Sequence, residues 1–268
     1  MRDTVLSIID CLEDESTARI RVGLDDLDEL LQQLVPYIRA WRQNPNGIKH
    51  PKLVQFESLQ DLFESNITNA LLLVYNYLLR HLDDASTPLR VYFPMILTAN
   101  RLLQGILLIH PNSRNILSRA KNMKLILSGS SSHSNGNTNS ISIEVSISFI
   151  SLLIHILLKN LQNFRVFEDN DGCAIVIRKL ELTTSISDTQ PTSSPSLPNK
   201  IFNQQDLNFK IIEFLVFYLI DETEIFPHQN NTHNKLKIRS LKEKAEFFRP
   251  EFLGIDDLIE HLNHLKNL

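Results

Sequence analysis

The stretch Leu24-Asp25-Asp26-Leu27-Asp28-Glu29-Leu30-Leu31-Gln32-Gln33-Leu34-Val35-Pro36-Tyr37-Ile38-Arg39-Ala40-Trp41 decides the fold class. Its apolar residues stand at positions 24, 27, 30, 31, 34, 37, 38 and 41. Gaps of three and four draw one continuous stripe along an α-helix. Pro36 interrupts the pattern. It has no N–H and its ring crowds the carbonyl four residues back, so a kink or break is expected near Val35.

Outward from this stretch the same period recurs. Leu53, Phe56, Leu59, Leu62 and Phe63 make a second stripe. Ile67–Leu82 is apolar nearly all round, as a helix covered on most sides would be. A further helix is expected from about Leu89 to Ile109, stopped by His110-Pro111. In Ser140–Phe149 the apolar residues alternate instead (Ile141, Ile143, Val145, Ile147), which is a strand period. Helix is still expected from about Glu144 onward. The apolar run Ile147–Leu158 is too long for one strand, and no partner strand lies nearby.

Three polar stretches separate the helical blocks. Residues 129–140 (GSSSHSNGNTNS), 183–200 (rich in Ser, Thr and Pro) and 226–234 have little to bury and are expected to be disordered. The blocks themselves fall at about 1–128, 141–182, 201–225 and 236–268, and the chain is expected to form a single helical domain over 1–268.

Two segments resemble each other at an offset of 51 residues: Ile106–Ile116 and Leu157–Phe167. Each closes an apolar helix, continues through Asn-x-Arg, and opens another apolar segment, Met123–Leu127 or Ala174–Leu180. Armadillo and HEAT units repeat at roughly 40–47 residues, and the polar stretch 129–140 accounts for the excess. The expected fold is all-α, an armadillo/HEAT-like stack of helical hairpins with disordered polar insertions. Within a unit, Asn112 and Asn163 suit a helix N-cap or turn role. Arg114 and Arg165 suit bonds to helix C-terminal carbonyls, with a partner's carboxylate as the alternative.

Composition narrows the function classes. The 268 residues are 43% apolar and carry 31 acidic against 27 basic side chains, a net charge of −4. That balance gives no broad attraction to nucleic acid or anionic lipid. Two cysteines make no disulfide framework, and seven glycines are few for phosphate-cradling loops. Met1–Asp10 has no long uncharged stretch of the kind a secretion signal needs. The apolar windows Leu102–Ile109 and Ile147–Leu158 read as buried core helices, so no membrane insertion is expected.

Catalytic patterns fail in detail. A cysteine phosphatase needs an arginine six residues after its thiolate, and Cys11 and Cys173 are followed there by Thr17 and Lys179. Both cysteines read as small buried residues. His261 and His264, beside Glu260, lack the further ligand that zinc requires and read as surface histidines. His155 reads as a satisfied core histidine. No catalytic, cofactor-binding or metal residue is assigned, and neither a cofactor nor a small-molecule substrate is expected. Residues 1–30 carry nine acidic and three basic side chains, and residues 231–250 six basic and two acidic. Solvated surfaces explain both, with an electrostatic contact between the chain ends or to a partner as the sharper reading. Ser194-Pro195 and Thr87-Pro88 have the minimal shape of proline-directed phosphorylation sites. Trp41, Tyr92 and Phe93 are aromatics that could anchor an interface, although each fits the core as well.

Asn163-Phe164-Arg165-Val166-Phe167-Glu168 with Gly172, then Lys210–Leu219 (KIIEFLVFYL), then Arg239–Glu246 (RSLKEKAE) with Phe252-Leu253-Gly254, resemble in order and spacing the fungal cell division control protein 14 family. This is the septation initiation network component, distinct from the phosphatase of similar name. The resemblance holds best over 145–268 and more loosely before it. It implies a non-catalytic helical protein that binds a germinal-centre-class serine/threonine protein kinase, sits in the cytoplasm at the spindle pole body, and promotes septum formation and cytokinesis. A helical-repeat adaptor for an unrelated peptide, or an unrecognised hydrolase, stays open beside it.

Overall fold

The computed structural model describes residues 1–82, 91–130, 143–180, 202–226 and 236–266, and every regular element among them is helical. Helix α1 (Arg2–Leu12) and α2 (Thr17–Gln43) form an opening hairpin. There follow α3 (Pro51–Gln60), α4 (Ile67–Leu82), α5 (Tyr92–Ile109), α6 (Ala120–Ser130) and α7 (Ile143–Leu157). Then come α8 (Leu161–Asp169), α9 (Gly172–Ile177), α10 (Gln204–Tyr218), α11 (Glu222–Ile225), α12 (Leu241–Ala245) and α13 (Ile255–Lys266). Tight 3-10 turns occupy Phe63–Ser65 and Pro111–Ser118.

The stripe on α2 buries Leu24, Leu27, Leu30, Leu31 and Leu34 as its spacing requires. Of the kink or break expected near Val35, the break does not occur, and the helix continues to Gln43. Pro36 and Gln32, whose carbonyl loses its donor, are both exposed, so water can replace the missing N–H. The second stripe is only partly right. Leu53, Phe56 and Leu59 are buried on α3, but that helix ends at Gln60. Leu62 and Phe63 fall beyond it and are 49% and 81% exposed. Helix α3 starts cleanly because Pro51 stands in its first turn and the His50 ring accepts the Lys52 N–H.

Helix wins over strand from Ile143 onward. Val145, Phe149, Leu152, Leu153 and Ile156 follow a 3.6-residue period into the core, and a lone strand would leave its ladder groups unpaired. The intervening serines are accommodated: Ser148 Oγ accepts from Asn100 of α5 at 2.9 Å. Asn100, fully buried, also accepts from Tyr75 of α4 at 2.7 Å, so one polar line crosses three helices.

Packing links helices that are not always consecutive in the chain. Helix α5 lies against α2 and α4 on one side and α7 on the other, and α10 then covers α7. Helix α6 packs on α4 and α7, and α9 on α6 and α8. The buried apolar residues form one cluster from Val5 to Ile255. Helix α5 is also long and apolar enough to cross a membrane by length and composition, and half of it is buried in this fold.

Two boundaries differ from expectation. Gly129 and Ser130 belong to α6 and are buried, because Gly129 lets the α7 ring of Phe149 close onto the helix. Phe226 is buried too, edge-on to Phe164. The rest of the expected insertions, together with Thr87 and Ser194, lies outside the described residues.

Candidate functional site

The two segments related by 51 residues occupy corresponding places: α5, a 3-10 turn and α6 in the first, α7, α8 and α9 in the second. Arg114 behaves as the sequence suggests, its Nε donating at 2.9 Å to the carbonyl of His155 near the end of α7. His155 itself is half-buried, its ring bonded to the Ser151 carbonyl. Asn160, not Asn163, caps α8 by accepting the Asn163 N–H at 3.0 Å. Asn163 is buried and donates to the carbonyls of Arg114 and Ile156, so it joins the two units. Asn112 is exposed on its turn.

Arg165 departs from expectation: it finds carboxylates, not carbonyls. It donates to Glu168 one helical turn on and to Glu222 of α11, both fully buried. Arg239 reaches the same Glu168, while its own N–H donates to Glu222 Oε2 at 2.8 Å. Tyr218 of α10 donates to Glu168 Oε1 at 2.6 Å. Lys244 of α12 is fully buried, 3.6 Å from Glu222, and donates to the Ile220 carbonyl at 2.9 Å. Its ammonium lies 4.7 Å and 4.8 Å from the centroids of Phe164 and Tyr218, a cation–π arrangement that offsets part of its desolvation. Three cations thus meet two carboxylates in the packed interior.

The basic stretch 231–250 was expected to be solvated, and for Arg239 and Lys244 that is wrong. They serve α8 and α11, and the acidic chain start pairs elsewhere, Asp28 with Arg101 and Asp14 with Arg19. Local charge counting gave no sign of this, because Glu168 and Arg239 are 71 residues apart. What did mark the place was the resemblance: each of its three motifs supplies members of the cluster.

Burial sets the chemistry here. It lowers the Lys244 ammonium to about 8 against the ordinary 10.5 and pushes the Cys173 thiol and Tyr218 phenol up. A thiol held protonated is a poor nucleophile. Cys11 is likewise buried and free. Lys244, Cys173 and Tyr218 are all interior. They do not line the cleft of about 390 Å³ beside Glu13, Asp14, Leu73, Tyr77 and Arg80. Among the described residues no group of three or more His, Cys, Asp or Glu side chains is placed to hold a metal. His261 and His264 are exposed on α13, His264 3.8 Å from Glu260.

The aromatics singled out earlier are mostly spoken for. Tyr92 is buried and Phe93 half-buried on α5. Trp41 is half-buried beneath the Lys49 ammonium, 5.3 Å from the ring centroid. The apolar residues that do face outward include Phe63 and Leu62 and, on α10, Phe209, Ile212 and Val216.

Fold and site define an all-α protein of successively packed helices, pinned at its C-terminal end by a buried ionic cluster. Residues 1–238 match the family model described as cell division control protein 14, SIN component, and the chain belongs to that family, a component of the septation initiation network in cell division. The match takes in the whole N-terminal half and the first two motifs, and ends one residue before Arg239. No curated protein and no solved structure matches the chain significantly.

Proposed function

We propose that the protein is a non-catalytic binding partner of a germinal-centre-class serine/threonine kinase, acting at the spindle pole body to promote septum formation. The family match over residues 1–238 carries this reading. The paired units at an offset of 51 residues support an armadillo/HEAT-like stack, and the continuous core from Val5 to Ile255 supports a single domain. Such a stack offers an extended surface for another protein.

The test uses the purified full chain and a recombinant germinal-centre-class kinase. Co-elution at a defined stoichiometry is expected. Separate elution at micromolar concentrations, with affinity purification from dividing cells yielding transport factors and no kinase, would reject the reading in favour of a general adaptor.

A further inference from the structure

Helix α10 covers α7 as α7 covers α5, and its two faces are both apolar. Leu207, Ile211, Phe214, Leu215 and Tyr218 point inward, and the helix packs on α7. The opposite face carries Phe209, Ile212 and Val216, which are 62%, 38% and 42% exposed. Positions 209, 212 and 216 follow the spacing of a helix that expects a neighbour. Helix α7 meets that expectation for α5, and α10 for α7. Three apolar side chains in one row over about 10 Å of helix are more than scattered surface residues.

The rim is acidic. Helices α10 and α11, with the turn between them, carry Asp206, Glu213, Asp221 and Glu224 against Lys210, which pairs with Glu213 at 2.6 Å. Asp221 is held below the usual carboxylate range, chiefly by the Thr223 hydroxyl, and so stays ionised. An apolar row with a negative border fits an amphipathic helix whose apolar face is flanked by lysine and arginine.

We propose that the outer face of α10, centred on Phe209, Ile212 and Val216, docks a basic-flanked amphipathic helix of the partner kinase, which continues the helical succession in trans. This deepens the kinase reading and rests on it. A second copy of the chain fits less well, because two such faces would bring like charges together.

The experiment measures affinity for the recombinant kinase with full-length wild type, Phe209→Glu and Val216→Asp. Phe63→Glu, on a more exposed phenylalanine outside α10, is the control. Each α10 variant is expected to bind at least about tenfold more weakly, since a charge is driven into an apolar contact. The control should stay within about twofold. Wild-type binding should weaken severalfold when salt is raised from roughly 0.05 to 0.3 M. All three side chains are exposed, so thermal melts should match wild type, and either α10 variant suffices to decide. Undiminished binding by both α10 variants overturns this surface and leaves the kinase reading standing. No binding by wild type removes both. A wild-type dimer in sedimentation equilibrium that Phe209→Glu dissolves assigns the face to self-association and overturns the proposal.

Discussion

At the scale of single residues, the buried cluster sets the sharpest demands. Glu222 answers Arg165, Lys244 and the Arg239 N–H together. Glu222→Gln leaves two buried cations short of a counter-charge, and breaking such a pair costs about 3–5 kcal/mol. Urea denaturation should show that loss, and a change below about 1 kcal/mol would mean the cluster is wetter than its burial implies. Lys244 adds a pH signature. Its folded value of about 8 lies below the ordinary 10.5, so between those limits the unfolded chain binds more protons. Stability from this group therefore rises as pH climbs from about 8 to 10.5, and below 8 it is a constant penalty. The groups facing it are Glu222, Glu168, Arg165, Arg239, Tyr218 and Cys173. Subtracting the Lys244→Met profile from wild type isolates the effect, and parallel profiles across that window would refute it.

At the scale of elements, the sequence spoke clearly where burial follows the local period. Helix α2 and helix α7 were legible because their stripes need no knowledge of what covers them. The end of α3 was not, because Leu62 and Phe63 keep the period after the backbone has left the helix. Nor was the pairing of Arg239 with Glu168, since periodicity says which face turns inward but not which distant charges meet there. Helix α6 shows the same limit: Gly129 reads as a loop residue until α7 is placed beside it. A Cβ there would stand 2.2 Å from the Phe149 ring. Gly129→Ala should thus destabilise by about 1–3 kcal/mol through overpacking, despite alanine's better helix propensity. Thermal unfolding checks the sign, and a stabilised variant would show that α6 and α7 can separate freely. Helix α12 is too short to stand alone. Its capping box, Ser240 with Glu243, secures one end, and the acid is held down to about 2, chiefly by Lys237. Ser240→Ala should cost about 1 kcal/mol, well below Arg239→Ala, which also strips a buried carboxylate of a partner.

At the scale of the whole molecule, the order of packing decides how damage spreads. The main helix contacts run from α2 to α5, α5 to α7 and α7 to α10, so the seam beside α8 has no large direct contact with the α1–α2 hairpin. Asn163 sits at one such seam, its amide bridging the carbonyls of Arg114 and Ile156. Asn163→Ala leaves those buried acceptors unpaired, at about 1–3 kcal/mol. With no large direct contact to the first hairpin, the loss should remain near the seam. Amide hydrogen exchange should quicken by about tenfold or more in α8, α9 and α10, where opening no longer breaks that bridge, while the α1–α2 hairpin keeps its protection. A core that opened only as a whole would instead raise exchange equally in α2 and α10. Because the proposed docking face is the far side of α10, the same variant should also weaken the kinase complex without touching it. That coupling between a buried amide and a remote surface follows from the succession of helices alone.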